Sequence, residues 1–284
     1  MRVYSPDAAT LQALRRSNIG LILDVPNEHL QGLASNASAA ADWVRRNVVA
    51  YWPDVRFRYI AVGNELIPDT RLAQFILPAM RNVYAALSSV GLRNDIKVST
   101  AVDAGVLGSS FPPSAGNFSA AALVYMIPIV QFLTSTGAPL LANIYPYFSY
   151  ASSPSNVALS YALFEARGAV VLDPPYSYQN LFDAMLDALY AALVYAGGPD
   201  VALVVSESGW PSAGGSAATV GNAKTYVQNL IRHAPRGTPR NPGRAIETYV
   251  FAMFNENQKA GAETEKHFGL FYPNKQPVYT IQFL

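Results

Sequence analysis

The feature that most constrains this chain is an alternation. Short, continuous apolar runs recur between longer segments whose apolar residues lie three and four apart. The runs fall at residues 19–25, 58–63, 96–102, 140–145, 201–206 and 248–254, with a fragment at 2–4 opening the series. They lack the in-and-out pattern of a half-solvated strand, so both faces are expected to be buried, as in a parallel sheet. Helical periodicity fills the intervals at 8–17, 39–51, 72–90, 123–134, 178–195 and 223–231. Such repetition predicts an α/β fold with right-handed crossovers. For 284 residues the first choice is a (β/α)8 TIM barrel, which takes about 250 residues at roughly 31 per unit.

Seven runs are found where a barrel uses eight, and the first lies at the very start. One strand–helix unit is therefore expected to be lacking ahead of Met1. An open barrel would leave strand edges unpaired and destabilise this chain. Asp7 and Ser38 are expected helix N-caps. Gly20, Gly91 and Gly137 are expected to end helices. The Pro- and Gly-rich stretches 111–116 and 236–243 read as surface connections within one domain spanning 1–284.

Composition removes several functions. Net charge is +1, with 20 Lys and Arg against 19 Asp and Glu, so no basic face for nucleic acid is expected. There is no cysteine, which excludes disulfides, thiolate metal sites and cysteine nucleophiles. His29, His233 and His267 are scattered without metal-ligand spacing. No glycine-rich phosphate loop and no nucleophile-elbow serine occur. The longest apolar stretch, near 123–130, is too short to span a membrane. The opening residues lack the apolar run of a signal peptide. Asn36 and Asn117 begin Asn-x-Ser triplets, which matter only in a secreted protein. The expectation is a monomer with no cofactor, no metal and no membrane partner. Tyrosine is abundant, at 17 residues against 3 Trp, which suits packing and also a groove that stacks sugar rings.

Barrel chemistry gathers where strands end. Two carboxylates stand at such ends. Tyr59-Ile60-Ala61-Val62-Gly63 runs into Asn64-Glu65, and Val201-Ala202-Leu203-Val204-Val205 runs into Ser206-Glu207-Ser208-Gly209-Trp210-Pro211. One such Glu could equally be a loop acid or a helix cap. Two, at separate strand ends, favour paired-carboxylate chemistry. Glycoside cleavage needs one carboxylic acid to protonate the leaving oxygen and one carboxylate to attack the anomeric carbon. A third cluster, Phe254-Asn255-Glu256-Asn257-Gln258-Lys259 with Glu263 and Glu265 beyond, could form surface ion pairs or line a site.

These segments, with Phe268-Gly269-Leu270-Phe271, resemble plant endo-β-1,3-glucanases of glycoside hydrolase family 17 over essentially the whole chain. The resemblance implies a (β/α)8 barrel and retaining endo-hydrolysis of β-1,3-glucan. It assigns Glu207 as nucleophile and Glu65 as general acid/base. It implies that Asn64 holds the hydroxyl beside the anomeric carbon. Glu256, Lys259 and Glu265 would support the catalytic centre, and Asn143, Tyr145 and Phe148 would meet glucosyl units. It also implies an extracellular or vacuolar location. The family's opening strand, with a Gly-Val-x-Tyr-Gly pattern and a cleft tyrosine, has no counterpart, and residues 1–4 align with its second strand. Two alternatives stand: cleavage of mixed β-1,3;1,4-glucan on the same scaffold, and a glucan-binding product without activity.

Overall fold

The computed structural model describes residues 1–68 and 71–283. A parallel sheet of seven strands runs in sequence order: β1 (Arg2–Val3), β2 (Gly20–Val25), β3 (Arg56–Asn64), β4 (Lys97–Val102), β5 (Leu140–Asn143), β6 (Leu203–Ser208) and β7 (Thr248–Val250). The chain forms two compact units. The first comprises Met1–Gly108, Phe118–Ala142 and Ala192–Val204; the second comprises Ser109–Asn117, Asn143–Ala191 and Val205–Leu284.

In the first unit, β1 pairs with β2, β2 with β3, β3 with β4, and β4 with β5, all parallel. Leu21, Ile22, Leu23, Ile60, Ala61 and Val62 are fully buried. Each such Leu, Ile or Val side chain contributes about 1.5–3 kcal/mol relative to exposure. That explains why these strands read as continuous apolar runs. The crossovers carry α1 (Ala8–Ala13), α2 (Leu30–Ser35), α3 (Ala37–Val44), α4 (Ala73–Ser89) and α5 (Ala120–Thr136). Asp7 caps α1 as expected, accepting from the Thr10 amide at 2.7 Å. Ser38 is not a cap. Asn36 caps α3 instead, its Oδ1 accepting from the Ser38 and Ala39 amides. An Asx side chain before Ala-Ser-Ala reaches two amides at once, which a serine inside the first turn does not. Gly137 closes α5 at φ 62°, and Gly91 follows α4 at φ 77°. Gly20 ends no helix. It opens β2, and the chain turns before it through Arg16 and Asn18, both at positive φ.

The second unit holds α6 (Pro146–Ser152), α7 (Leu159–Ala162), most of α8 (Leu181–Tyr195) and α9 (Val220–His233). A two-stranded antiparallel ribbon pairs Val171–Asp173 with Tyr176–Tyr178. β6 pairs with β7 in parallel. Its core includes Phe182, Leu186, Trp210 and Tyr226, all fully buried. The Trp210 and Tyr226 rings lie 5.6 Å apart, and the Trp210 Nε1–H donates to the Ala217 carbonyl at 2.9 Å. The stretch 111–116 is a surface connection, with Phe111, Ser114 and Ala115 exposed, that dips inward at Pro113 and Gly116. A Cβ on Gly116 would stand 2.1 Å from the Ala188 carbonyl oxygen, so only glycine permits that backbone approach.

Candidate active site

In the first unit, the C-terminal end of β3 bends at a bulge while staying paired with β4. The β3–β4 register shifts between Ala61 and Asn64. Gly63 takes φ 84° and Glu65 takes φ 54°, while the Glu65 amide still donates to the Ala101 carbonyl at 2.9 Å. Glutamate at positive φ is a strained backbone, of the kind held where function requires it. The bend leaves the Glu65 side chain exposed and Asn64 half-buried.

Asn64 is clamped. Its Oδ1 accepts from Arg2 Nη2 at 2.8 Å. Arg2 in turn donates to both oxygens of Asp24, at 3.1 and 2.7 Å. The Arg2 and Asp24 side chains are only 3% and 4% exposed. A forked guanidinium–carboxylate pair buried this far is rigid, because neither charge can leave without stranding the other. Asn27 fixes the Asn64 backbone as well, accepting from its amide at 3.1 Å. Arg2, Asp24 and Asn27 were not among the expected site residues.

In the second unit, Glu207 is the penultimate residue of β6 and 7% exposed. Its carbonyl accepts from the Ile144 amide at 2.9 Å, and the Tyr145 hydroxyl donates to its Oε2 at 2.7 Å. Its neighbours are pinned too. Ser206 donates to Asn143 Oδ1 at 2.7 Å, and Ser208 Oγ lies 2.6 Å from Tyr226 Oη. Gly209 passes so close to the Phe251 carbonyl that a Cβ would stand 2.2 Å from its oxygen.

The Tyr145 ring packs against Phe148, Phe251 and Phe268 at 5.4, 6.2 and 5.6 Å. Phe148 keeps 41% of its surface exposed. Lys259 stands over the Phe251 ring at 5.4 Å and bonds Glu265 at 3.1 Å and Glu256 at 3.3 Å. Burial alone would lower the Lys259 ammonium, but the Glu265 hydrogen bond and the two carboxylate charges outweigh it and hold it above its ordinary value. One run of contacts therefore joins Glu207, Tyr145, Phe251, Lys259, Glu256 and Glu265. Phe251 and Phe268 join the expected residues here.

Buried parallel strands with helical crossovers, carrying strand-end glutamates among fixed amides and aromatic rings, define a TIM-barrel-class glycoside hydrolase. The sequence profile of Glycosyl hydrolases family 17 matches residues 1–283, and the chain belongs to that family. It is 62% identical to a glucan endo-1,3-beta-glucosidase of Vitis vinifera, over all of this chain and 83% of that protein. It is 54% identical to a basic vacuolar isoform from Nicotiana plumbaginifolia, over all of this chain and 78% of that protein. A solved structure from work on two plant β-glucan endohydrolases with distinct substrate specificities superposes with a TM-score of 0.96 at 53% identity, covering all of this chain and 90% of that one.

Proposed function

We propose that the chain is a retaining endo-β-1,3-glucanase in which Glu207 is the nucleophile and Glu65 the general acid/base. The observation that carries this reading is the setting of Glu207: a nearly buried carboxylate near the end of a parallel strand, aimed by the Tyr145 hydroxyl at 2.7 Å. Glu207 attacks the anomeric carbon while Glu65 protonates the departing glycosidic oxygen. A covalent glycosyl-enzyme forms. Glu65 then takes a proton from water, which attacks the same carbon and releases Glu207. Two inversions retain the β configuration, and they require the two carboxyl groups to come within about 5–5.5 Å.

Asn64, held by Arg2, is assigned to the hydroxyl beside the anomeric carbon. Asn143, Tyr145 and the exposed face of Phe148 are assigned to glucosyl units. Lys259, Glu256 and Glu265 are assigned to charge balance beside the nucleophile. The match over 1–283 supports one catalytic domain. Relatives named basic vacuolar isoforms support a vacuolar location, with secretion as the alternative. No helix among the described residues is long and apolar enough to cross a membrane.

The test is covalent trapping. An activated 2-fluoro glycoside of a β-1,3-linked glucose disaccharide should label Glu207, and Glu207→Gln should cut laminarin turnover by at least about a thousandfold. Label on another carboxylate would move the nucleophile elsewhere. Faster turnover of mixed-linkage glucan than of laminarin would reassign the substrate.

A further inference from the structure

The second unit carries a cavity of about 500 Å³ that shares no residue with the proposed active site. Its volume lies within the range of about 300–1,000 Å³ typical of small-molecule sites. It opens between the start of α8 and the end of α9, and its lining includes Phe164, Asn180, Asp183, Arg232, His233 and Arg236.

The floor is built and fixed. Asp183 and Asn180 are buried. Asp183 Oδ1 lies 2.7 Å from His233 Nε2, and its Oδ2 accepts from the Asn180 amide nitrogen at 2.8 Å. The Asn180 oxygen accepts from the Asp183 backbone amide at 2.8 Å, closing a ring. Phe164 packs on the His233 ring at 5.2 Å and is itself held at φ 62°. The single carboxylate of the lining is thus engaged through both oxygens. The rim differs. Arg232 and Arg236 are exposed, and neither guanidinium has a hydrogen bond or ion pair with another described residue. Two forked cations over a floor whose one anion is already satisfied leave positive charge unbalanced at the cavity mouth.

We propose that this cavity binds a small oxyanion-bearing ligand, with Arg232 and Arg236 as the anion clamp and the Asn180–Asp183–His233 ring as its rigid base. A planar guanidinium matches a carboxylate or phosphate edge through two parallel hydrogen bonds. The chemistry has two possible sources: the carboxylate of an acidic sugar, and free phosphate.

The experiment is calorimetric titration of the 284-residue chain with digalacturonate, with inorganic phosphate, and with neutral galactobiose. Saturable binding of at least one of the two anions is expected. Arg232→Gln and Arg236→Gln should each weaken it about tenfold or more, the loss of a charged hydrogen bond, while laminarin turnover stays unchanged. Binding of phosphate as tight as that of digalacturonate identifies free phosphate as the source; binding of digalacturonate alone identifies an acidic sugar. Three results would overturn the proposal: no saturable binding of either anion, galactobiose binding as tight as the anions, or anion binding that survives both substitutions.

Discussion

A carboxylate nucleophile must be aimed at one carbon and kept from swinging. In the role proposed for Glu207 the aiming falls to one phenol, since Tyr145 reaches Oε2 at 2.7 Å while its ring is wedged among three phenylalanines. Tyr145→Phe keeps the wedge and removes the hydrogen bond. A bond to a charged acceptor is worth about 1.5–3 kcal/mol, so kcat on laminarin should fall about 10- to 100-fold with little change in KM. An unchanged kcat would show that packing alone aims the carboxylate. Glu65 has the opposite setting, exposed on a strained bend. Glu65→Ala should spare glycosides with good leaving groups in the first step, and added azide should yield a β-glycosyl azide. Equal losses on activated and natural substrates would remove Glu65 from acid/base work. Both strand-end glutamates stand out in the sequence because each follows an apolar run. The Arg2–Asp24 clamp does not, although a signal existed. Each charge interrupts an apolar strand, and a charge inside a buried strand requires a partner. Which partner it finds depends on the sheet register pairing Arg2 with Ile22 and Val3 with Leu23, and the sequence does not display that register.

The sheet strands and the longer helices were legible, even where β1 and β7 are only half-buried. All seven sheet strands appear where apolar runs stand, with ends differing by four residues at most. Glu207 lies inside β6, because its carbonyl still accepts the amide of Ile144, just past the end of β5. Helices α4 and α5 carry Pro78 and Pro128 in their interiors and continue regardless. Proline costs about 3 kcal/mol there, and the fully buried Met80 and Val83 of α4, with Met126 and Val130 of α5, offset it. α2, α6, α7 and the Val171–Asp173 ribbon escaped the reading because they are too short for a period to show. The bend at the end of β3 yields a prediction at this scale. Gly63 has φ 84°, and a Cβ there would stand 3.3 Å from Leu66 and 3.4 Å from Ile76 and Leu30. Gly63→Ala should cost about 1–3 kcal/mol, read as a lower urea midpoint. It should also reduce turnover, because Asn64 and Glu65 move with the bend. A variant with unchanged midpoint and activity would show that the bend tolerates a side chain.

The stability of the whole molecule should carry the mark of one buried acid. Asp187, on α8, is 1% exposed. Burial raises its pKa to about 6, against the opposing pull of hydrogen bonds from Thr238 and the Arg240 amide. In the unfolded chain an aspartate titrates near 3.9. Between those values the folded protein holds a proton that the unfolded chain has released. Stability is therefore fully present below about pH 4 and falls as pH rises through about 6. A difference of about two pKa units corresponds to roughly 3 kcal/mol at neutral pH. Asp187→Asn is isosteric, carries no charge, and can still accept from the Arg240 amide. Its melting temperature should match that of the native chain near pH 4 and exceed it increasingly from pH 5 to 7. The differences are to be measured by calorimetry at pH 4, 5, 6 and 7. Parallel curves across that range would mean that Asp187 titrates alike in both states, and that its contacts within α8 and the 236–243 loop balance its burial.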